Sequence, residues 1–385
     1  MSKNLLKFIL FFLSIILLNN SFAASGTENK FEKVDKAIDE AIKDSAFPGA
    51  VVLISKDGKI VYQNAYGHFT YDENSSSMKL NTIFDLASVS KVVSTTTCTM
   101  ICYDRNLFKL EDKVSKYIPE FAKNGKENVT IRNLLEHNSG LRPDVISYKV
   151  YANSPNPEKD ILNEIYSDTL IYQTGTKMVY SDLGMITMAK IIEKVTGETL
   201  DNFAQKEIFE PLGMKSTMYN PPDSLKNKIA PTELDNYFRN RQLQGEVHDE
   251  TSFLMGGVAG HAGLFSKVGD LAKFLQMILQ KGNYNGKQII KPEIVELFTK
   301  RQSELNTRGL GWDTKSPEGY SSAGNLFNVL SYGHTGYTGT SVWTDPTRNL
   351  FVILLTNRVY PTRKNGKISG ARVKVHDAVI ESIEK

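Results

Sequence analysis

Among the serines that stand three residues ahead of a lysine are Ser76, before Lys79, and Ser88, before Lys91. A serine hydroxyl acts as a nucleophile when a base takes its proton and donors stabilise the charge on the attacked carbonyl oxygen. On a helix, positions three apart share a face, so the lysine can reach the hydroxyl. Ser76 sits inside Ser75-Ser76-Ser77, in a polar stretch with nothing to fix its geometry. Ser88 follows the apolar Ile83-Phe84 and opens a long apolar stripe. It is expected at a helix start, where free backbone N–H groups favour developing negative charge. Serine also caps helices. The pattern alone leaves that plain role open for Ser88.

Downstream, Val179-Tyr180-Ser181-Asp182-Leu183-Gly184 opens another helix with a phenol and a carboxylate. Further on, Gly333-His334-Thr335-Gly336-Tyr337-Thr338-Gly339-Thr340 leads into a strand. Free tyrosine and lysine titrate near about 10 and 10.4, so neither is a ready base at neutral pH. Side by side, with the lysine charged, a phenolate or a shared proton becomes less costly.

The order Ser88-x-x-Lys91, then Tyr180-x-Asp182, then His334-Thr335-Gly336 resembles the three motifs of the serine β-lactamase and penicillin-binding-protein family, in its class C-like branch. Leu134–Leu141, Gln173–Asp182 and Pro211-Leu212-Gly213-Met214 agree with it, and Gly245–Glu250 and Gly256–Phe265, with Leu355–Val359, resemble a DD-carboxypeptidase-type subgroup. The resemblance implies an acyl-enzyme on Ser88, with Lys91 and Tyr180 moving its proton. It implies an oxyanion hole from the backbone N–H groups of Ser88 and Tyr337. It also implies substrate contacts from Asp182, His334, Thr335 and Gly336, and a carboxylate contact from Arg358, for which a surface ion pair is the competing role. Two residues depart from the family pattern. Asp182 stands where asparagine is usual, and an ionised aspartate can only accept hydrogen bonds; it is expected to pair with Lys91 and hold it protonated. His334 replaces a lysine and carries charge only part of the time near neutrality.

The elements that must position these groups follow from periodicity. Phe31–Ala46 reads as an amphipathic helix, and Gly49–Ser55 with Ile60–Tyr66 as a hairpin across Lys-Asp-Gly-Lys. Ser88–Tyr103 is a long helix. Helical spacing continues through Thr130–His137, Pro157–Tyr166, Ser181–Val195 and Gly269–Gln280. Strands return at Leu310–Trp312, Val329–Gly333, Thr340–Asp345 and Leu350–Thr356, and Gly370–Ile383 is a last helix. Strands at both ends with helices between predict an α+β fold. By resemblance it is β-lactamase/transpeptidase-like, an antiparallel sheet flanked by helices plus a mainly helical lobe. The sheet lobe covers about 31–87 and 305–385, the helical lobe about 88–304, within one catalytic domain over 24–385. The site is expected in the cleft between them.

Residues 1–23 have the layout of a secretory signal peptide: Lys3 and Lys7, an apolar Leu5–Leu18, then Ser21-Phe22-Ala23. The mature chain is expected outside the cytoplasm, periplasmic or extracellular; a retained anchor is the competing reading. A net charge of +3 on 385 residues gives no nucleic-acid footprint. Cys98 and Cys102, the only cysteines, read as small buried hydrophobes. Gly245–Glu250 followed by Gly256–Phe265 lacks the Lys-Ser/Thr that closes a phosphate loop. His248, Asp249 and His261 match no standard zinc spacing, so neither metal nor organic cofactor is expected. The glycines there suit close backbone approach beside the cleft. The expected function is an exported serine acyl hydrolase on D-alanyl cell-wall peptides. The alternatives are an esterase, a weak β-lactamase, or a non-catalytic penicillin sensor. Substrates are then a peptidoglycan-derived peptide, an ester or a β-lactam, with peripheral association to membrane or wall left open.

Overall fold

In the computed structural model the described residues are 29–304 and 306–384, so the leader expected over 1–23 lies outside them. Among the described residues no helix is long and apolar enough to cross a membrane. The main sheet has six antiparallel strands, numbered here in chain order: β1 (Gly49–Lys56), β2 (Lys59–Gly67), β3 (Asp313–Thr314), β4 (Tyr332–Thr335), β5 (Ser341–Asp345) and β6 (Leu350–Thr356). Their spatial order is β3-β4-β5-β6-β1-β2, so both ends of the chain build one sheet.

The β1–β2 turn places Asp57 (φ 53°) and Gly58 (φ 75°) in the left-handed region, which a tight hairpin of this type requires. Strands β1 and β6 are apolar at nearly every position because both faces are covered. Val51, Leu53, Phe351, Ile353 and Leu355 point into a core shared with the central helices. Ala50, Val52, Ile54, Leu350, Val352 and Leu354 point into a second core, under the helices Glu32–Lys43 and Ile368–Ile383. The pairing Val51 to Leu355 and Leu53 to Ile353 keeps the two sets apart, since a slip by one residue would exchange the faces.

Several boundaries differ from the sequence expectation, each for a local reason. The strand expected at Leu310–Trp312 is displaced to β3, because Gly311 (φ 79°) turns the chain and its N–H donates to Leu135 O. Val329 and Leu330 are exposed, and Leu330 N–H donates to Asn328 Oδ1, so β4 begins only at Tyr332. The lobe expected to be mainly helical contributes Met218–Tyr219 and Leu264–Ser266 to a small sheet, which Phe84–Asp85 completes. The first turns of the long helix after Ser88 form a π-helix over Lys91–Thr96 before α-helix resumes at Thr97–Asp104.

Candidate active site

The nucleophile turn is built by strand pairing and one carboxylate. Phe84 and Asp85 pair with Ser266 and Phe265, and Leu86 N–H donates to Leu264 O. Asp85 is buried; its carboxylate accepts from Ala87 N–H at 2.8 Å and from His248 N–H at 2.6 Å. These bonds hold Ala87 at φ 46°, an uncommon conformation for a residue with a Cβ. The chain then swings Ser88 into the cleft ahead of the helix. Ser76, the rival serine, is exposed in a loop with Lys79 also exposed.

Lys91 is fully buried, and its ammonium has three partners. Nζ lies 2.9 Å from Ser88 Oγ, 2.6 Å from Asp182 Oδ1 and 2.9 Å from the His261 carbonyl. The contacts to Ser88 and His261 are hydrogen bonds, and the contact to Asp182 is an ion pair. Burial alone would lower the lysine; Asp182 and then Tyr180 outweigh it and hold Lys91 above its ordinary value. The expected Lys91–Asp182 pairing is thus present as an ion pair.

Tyr180 and Asp182 arrive together at the start of the helix Asp182–Thr196. Ser181 is its N-cap: its hydroxyl accepts from Gly184 N–H and donates to Arg142 O. Ser181 N–H donates to His137 Nδ1, and the His137 ring packs 4.5 Å from the Tyr180 ring. Lys91 Nζ is 4.9 Å from the centre of that ring, and the His334 ring 6.0 Å. The Tyr180 hydroxyl is buried and faces Lys91 and Ser88. Burial raises its phenol, Lys91 and Ser88 pull it down, and the net displacement is upward.

The opposite wall is β4 and the turn after it. Thr338 Oγ1 donates to Asp85 O at 2.7 Å and Thr340 Oγ1 to Leu86 O at 2.9 Å, tying this turn to the residues ahead of Ser88. Gly336 is required there, because a Cβ would run into Thr340 Oγ1 and Leu86 O. Among the described residues neither Ser88 N–H nor Tyr337 N–H donates a hydrogen bond. His334 Nδ1–H donates to Thr335 O, and burial, then Arg308 and Lys91, hold the ring well below its ordinary value. His334 is therefore neutral and offers its buried Nε2 as an acceptor.

Ser88, Tyr180, His334, Thr335, Gly336 and Tyr337 line one cavity of about 380 Å³. Arg308, Arg358 and Arg372 line it too. Arg358 is engaged: Nε donates to Tyr337 O at 2.6 Å and Nη1 to Asn365 O at 2.8 Å, so it braces the wall and forms no ion pair among the described residues. Arg372 Nη2 likewise donates to Gly336 O and Thr340 O. Arg308 was not singled out in the sequence. Its guanidinium carbon is 5.2 Å from the Tyr180 ring centre, its nearest acid is Asp313 at 3.9 Å, and its Nε and Nη1 are buried without a hydrogen bond. It is a cation aimed at the cleft with donors to offer.

His248, Asp249 and His261 do not converge. His248 Nε2–H donates to Glu233 at 2.8 Å, whereas His261 Nε2–H donates to Asp249 at 2.7 Å. The glycines near them do allow close approach: a Cβ on Gly260 would collide with Met185 O on the Tyr180-Asp182 helix. Cys98 and Cys102 are buried free thiols, with Cys98 pushed well up by burial and Cys102 to about 12, which rules them out as nucleophiles.

A cleft with a lysine-activated serine at a helix start, a tyrosine beside it and a strand edge opposite defines an acyl-transfer enzyme of the penicillin-recognising class. The Beta-lactamase family profile matches residues 34–376, and the chain belongs to that family as a serine hydrolase of the β-lactamase and DD-peptidase type. Among similar proteins, the "N-acetylmuramyl-L-alanine amidase" of Bacillus subtilis (strain 168) is 37% identical over 373 residues, covering 88% of this chain and 83% of that protein. A "Putative D-alanyl-D-alanine carboxypeptidase" of Escherichia coli (strain K12) is 33% identical over 361 residues, covering 86% and 82%. The crystal structure of a penicillin-binding protein homologue from Caulobacter crescentus superposes with a TM-score of 0.75 at 18% identity, covering 92% of this chain and 98% of that one, and so shares the fold.

Proposed function

We propose that the protein is an exported serine amidohydrolase of peptidoglycan-derived peptides that removes a carboxylate-bearing leaving group, in the first instance the terminal D-alanine of a D-alanyl-D-alanine end. The carrying observation is Ser88 Oγ 2.9 Å from a buried Lys91 that is ion-paired with Asp182, in the same cavity as Arg308 donors that make no hydrogen bond. Arg308 suits a substrate carboxylate, which a planar guanidinium binds with two parallel hydrogen bonds. The E. coli relative's name supports the same bond.

In acylation Ser88 Oγ bonds to the carbonyl carbon while the N–H groups of Ser88 and Tyr337 receive the oxyanion. Lys91 and Tyr180 are both held in their protonated forms, so the phenol works as a relay. Tyr180 takes the serine proton as it hands its own to the departing nitrogen, and the C–N bond breaks. Water then attacks the ester, its proton returns through Tyr180 to Ser88 Oγ, and the acid is released. Lys91 keeps its charge throughout and favours negative charge on both oxygens.

A second reading places the cut at the amide between muramic acid and L-alanine, supported by the name of the 37% identical B. subtilis relative. Hydrolysis of esters or β-lactams uses the same machinery, but a neutral His334 lacks the fixed charge that a lysine would give a β-lactam carboxylate. Digestion of purified muropeptides followed by mass spectrometry separates the readings. Loss of one alanine supports the first, and release of the whole peptide from the sugar supports the second. Intact muropeptides, alongside rapid nitrocefin turnover, would overturn both. Export is tested by sequencing the amino terminus of the protein recovered outside the cytoplasm.

A further inference from the structure

We propose that His261 and Asp249 form a positioning pair for acylation, their ring-to-carboxylate contact fixing the turn whose carbonyl keeps the Lys91 ammonium on Ser88. The inference rests on the serine acyl-transfer reading above and adds residues that touch no substrate.

Of the three partners of Lys91, two are side chains, and the third is the backbone oxygen of His261 at 2.9 Å. That oxygen is useful only if its turn stays put. Two features hold it. Thr95 Oγ1 donates to Gly260 O at 2.7 Å, and the absence of a Cβ on Gly260 lets the turn lie directly against Met185 O. The His261 ring, 1% exposed, then reaches back to Asp249 at 2.7 Å. Asp249 is itself fixed as the N-cap of the helix Glu250–Leu254, accepting from Ser252 N–H at 2.7 Å. The chain of contacts therefore runs from a helix cap through a buried imidazole to the catalytic lysine.

The pair also sets local charge. Polar atoms of Asp182, Asp249 and His261 all lie within 4.8 Å of one another. Burial alone would lower His261, but Asp249 and then Asp182 raise it above its ordinary value, which favours its protonated form. Burial alone would raise Asp249; His261 lowers it well below the usual range. The charged neighbours facing this pair are Lys91 and Asp182, with Asp144 beside Asp182 from the preceding loop. On the far side of Lys91 stand Tyr180, Arg308, and the histidines 137 and 334, both kept neutral by burial. His261 thus pairs with Asp249 and Lys91 with Asp182, two cations and two anions in one cluster.

The test measures kcat and KM for a p-nitrophenyl short-chain ester from about pH 5 to about pH 9, spanning the ordinary histidine value. His261→Ala is expected to lower kcat by about 10²-fold with KM little changed, since misplacing a reacting group by about 1 Å costs that much. His261→Gln keeps an N–H for Asp249 and should recover at least about tenfold of that loss. It also removes a cation, so the acid limb of kcat/KM should move to higher pH. Asp249→Asn removes an anion but also the charge that this anion holds on His261, so its limb should move less than that of His261→Gln. A charge within about 4–6 Å moves a neighbour by about 1–3 pH units, so about one unit upward is expected for glutamine. A limb that stays put or falls in His261→Gln, an equal or larger upward move in Asp249→Asn, or no recovery with glutamine would overturn the proposal. Melting curves identify a variant that does not fold, and either remaining variant still decides through its limb. Ser88→Ala separates the two levels. Undiminished ester turnover there removes the acyl-transfer reading itself, whereas a dead Ser88→Ala with unmoved limbs in the other variants overturns only this inference.

Discussion

The Lys91 ammonium and the Asp182 carboxylate lie 2.6 Å apart, with the lysine wholly buried and the carboxylate partly exposed. Asp182 is the strongest influence holding the lysine's proton against burial. A group raised in the folded state stabilises it below its unfolded value, and that stability is lost only as pH rises through the folded value. Asp182→Asn should therefore leave an active enzyme at neutral pH but move the alkaline limb of kcat/KM to lower pH. The expected displacement is about 1–3 units, read from a pH–rate profile. An unmoved limb would show that the pair does not govern the lysine's charge in catalysis.

Tyr180 lines the cavity beside Ser88 and can relay a proton to a leaving nitrogen without changing net charge. Tyr180→Phe removes the relay and leaves the ring packed between His137 and His334. We expect kcat to fall by about 10²–10⁴-fold while melting behaviour is preserved. Stopped-flow labelling with a fluorescent penicillin checks whether the loss lies in acylation.

Arg308 should read as a specificity determinant. Arg308→Ala is expected to raise KM for a D-alanyl-D-alanine peptide by the value of a charged hydrogen bond, about 1.5–3 kcal/mol or roughly 10- to 150-fold. The same substitution should change little for the peptide with an amidated end, which offers no carboxylate. Equal losses on both peptides would place the carboxylate elsewhere.

Glu233 predicts an acid-sensitive contribution to stability. Burial would raise its carboxyl, but His248 and Arg363 bring it down to about 2. A depressed carboxylate stabilises the fold above its unfolded value and loses that effect as pH falls through the folded value, here from about 4.5 towards about 2. The size is about 2–3 kcal/mol. Urea unfolding at about pH 6 and about pH 3 should show wild type losing roughly this much more than Glu233→Gln.

Much of the site could be read from local spacing, and the part that could not depends on long-range contact. Ser88-x-x-Lys91 and Tyr180-x-Asp182 each lie within one turn of a helix start, so sequence distance carries their geometry. Arg308 sits in an irregular loop with no periodic neighbour, and its role follows only from the Tyr180 ring beside it. His261 stands in a glycine-rich run whose composition suggests close packing without saying against what; the answer is a lysine 170 residues earlier. In the fold, β1 and β6 keep their expected cores because five or more apolar residues in a row fix a doubly covered strand. The two- and three-residue strands around Asp85 and Phe265 have no such signal; tertiary pairing alone creates them. The π-turn at Lys91 is equally silent in the sequence.

Among the described residues the first and last helices lie side by side, with Lys33 near the start of one paired to Glu381 near the end of the other. Residues 29 and 384 thus belong to neighbouring elements, and a short glycine-serine bridge could join them. A circular permutant opened at the exposed Lys56–Lys59 bend would keep every cavity-lining group in its place. Its activity would show that the order of the polypeptide is dispensable once the sheet has gathered its two halves.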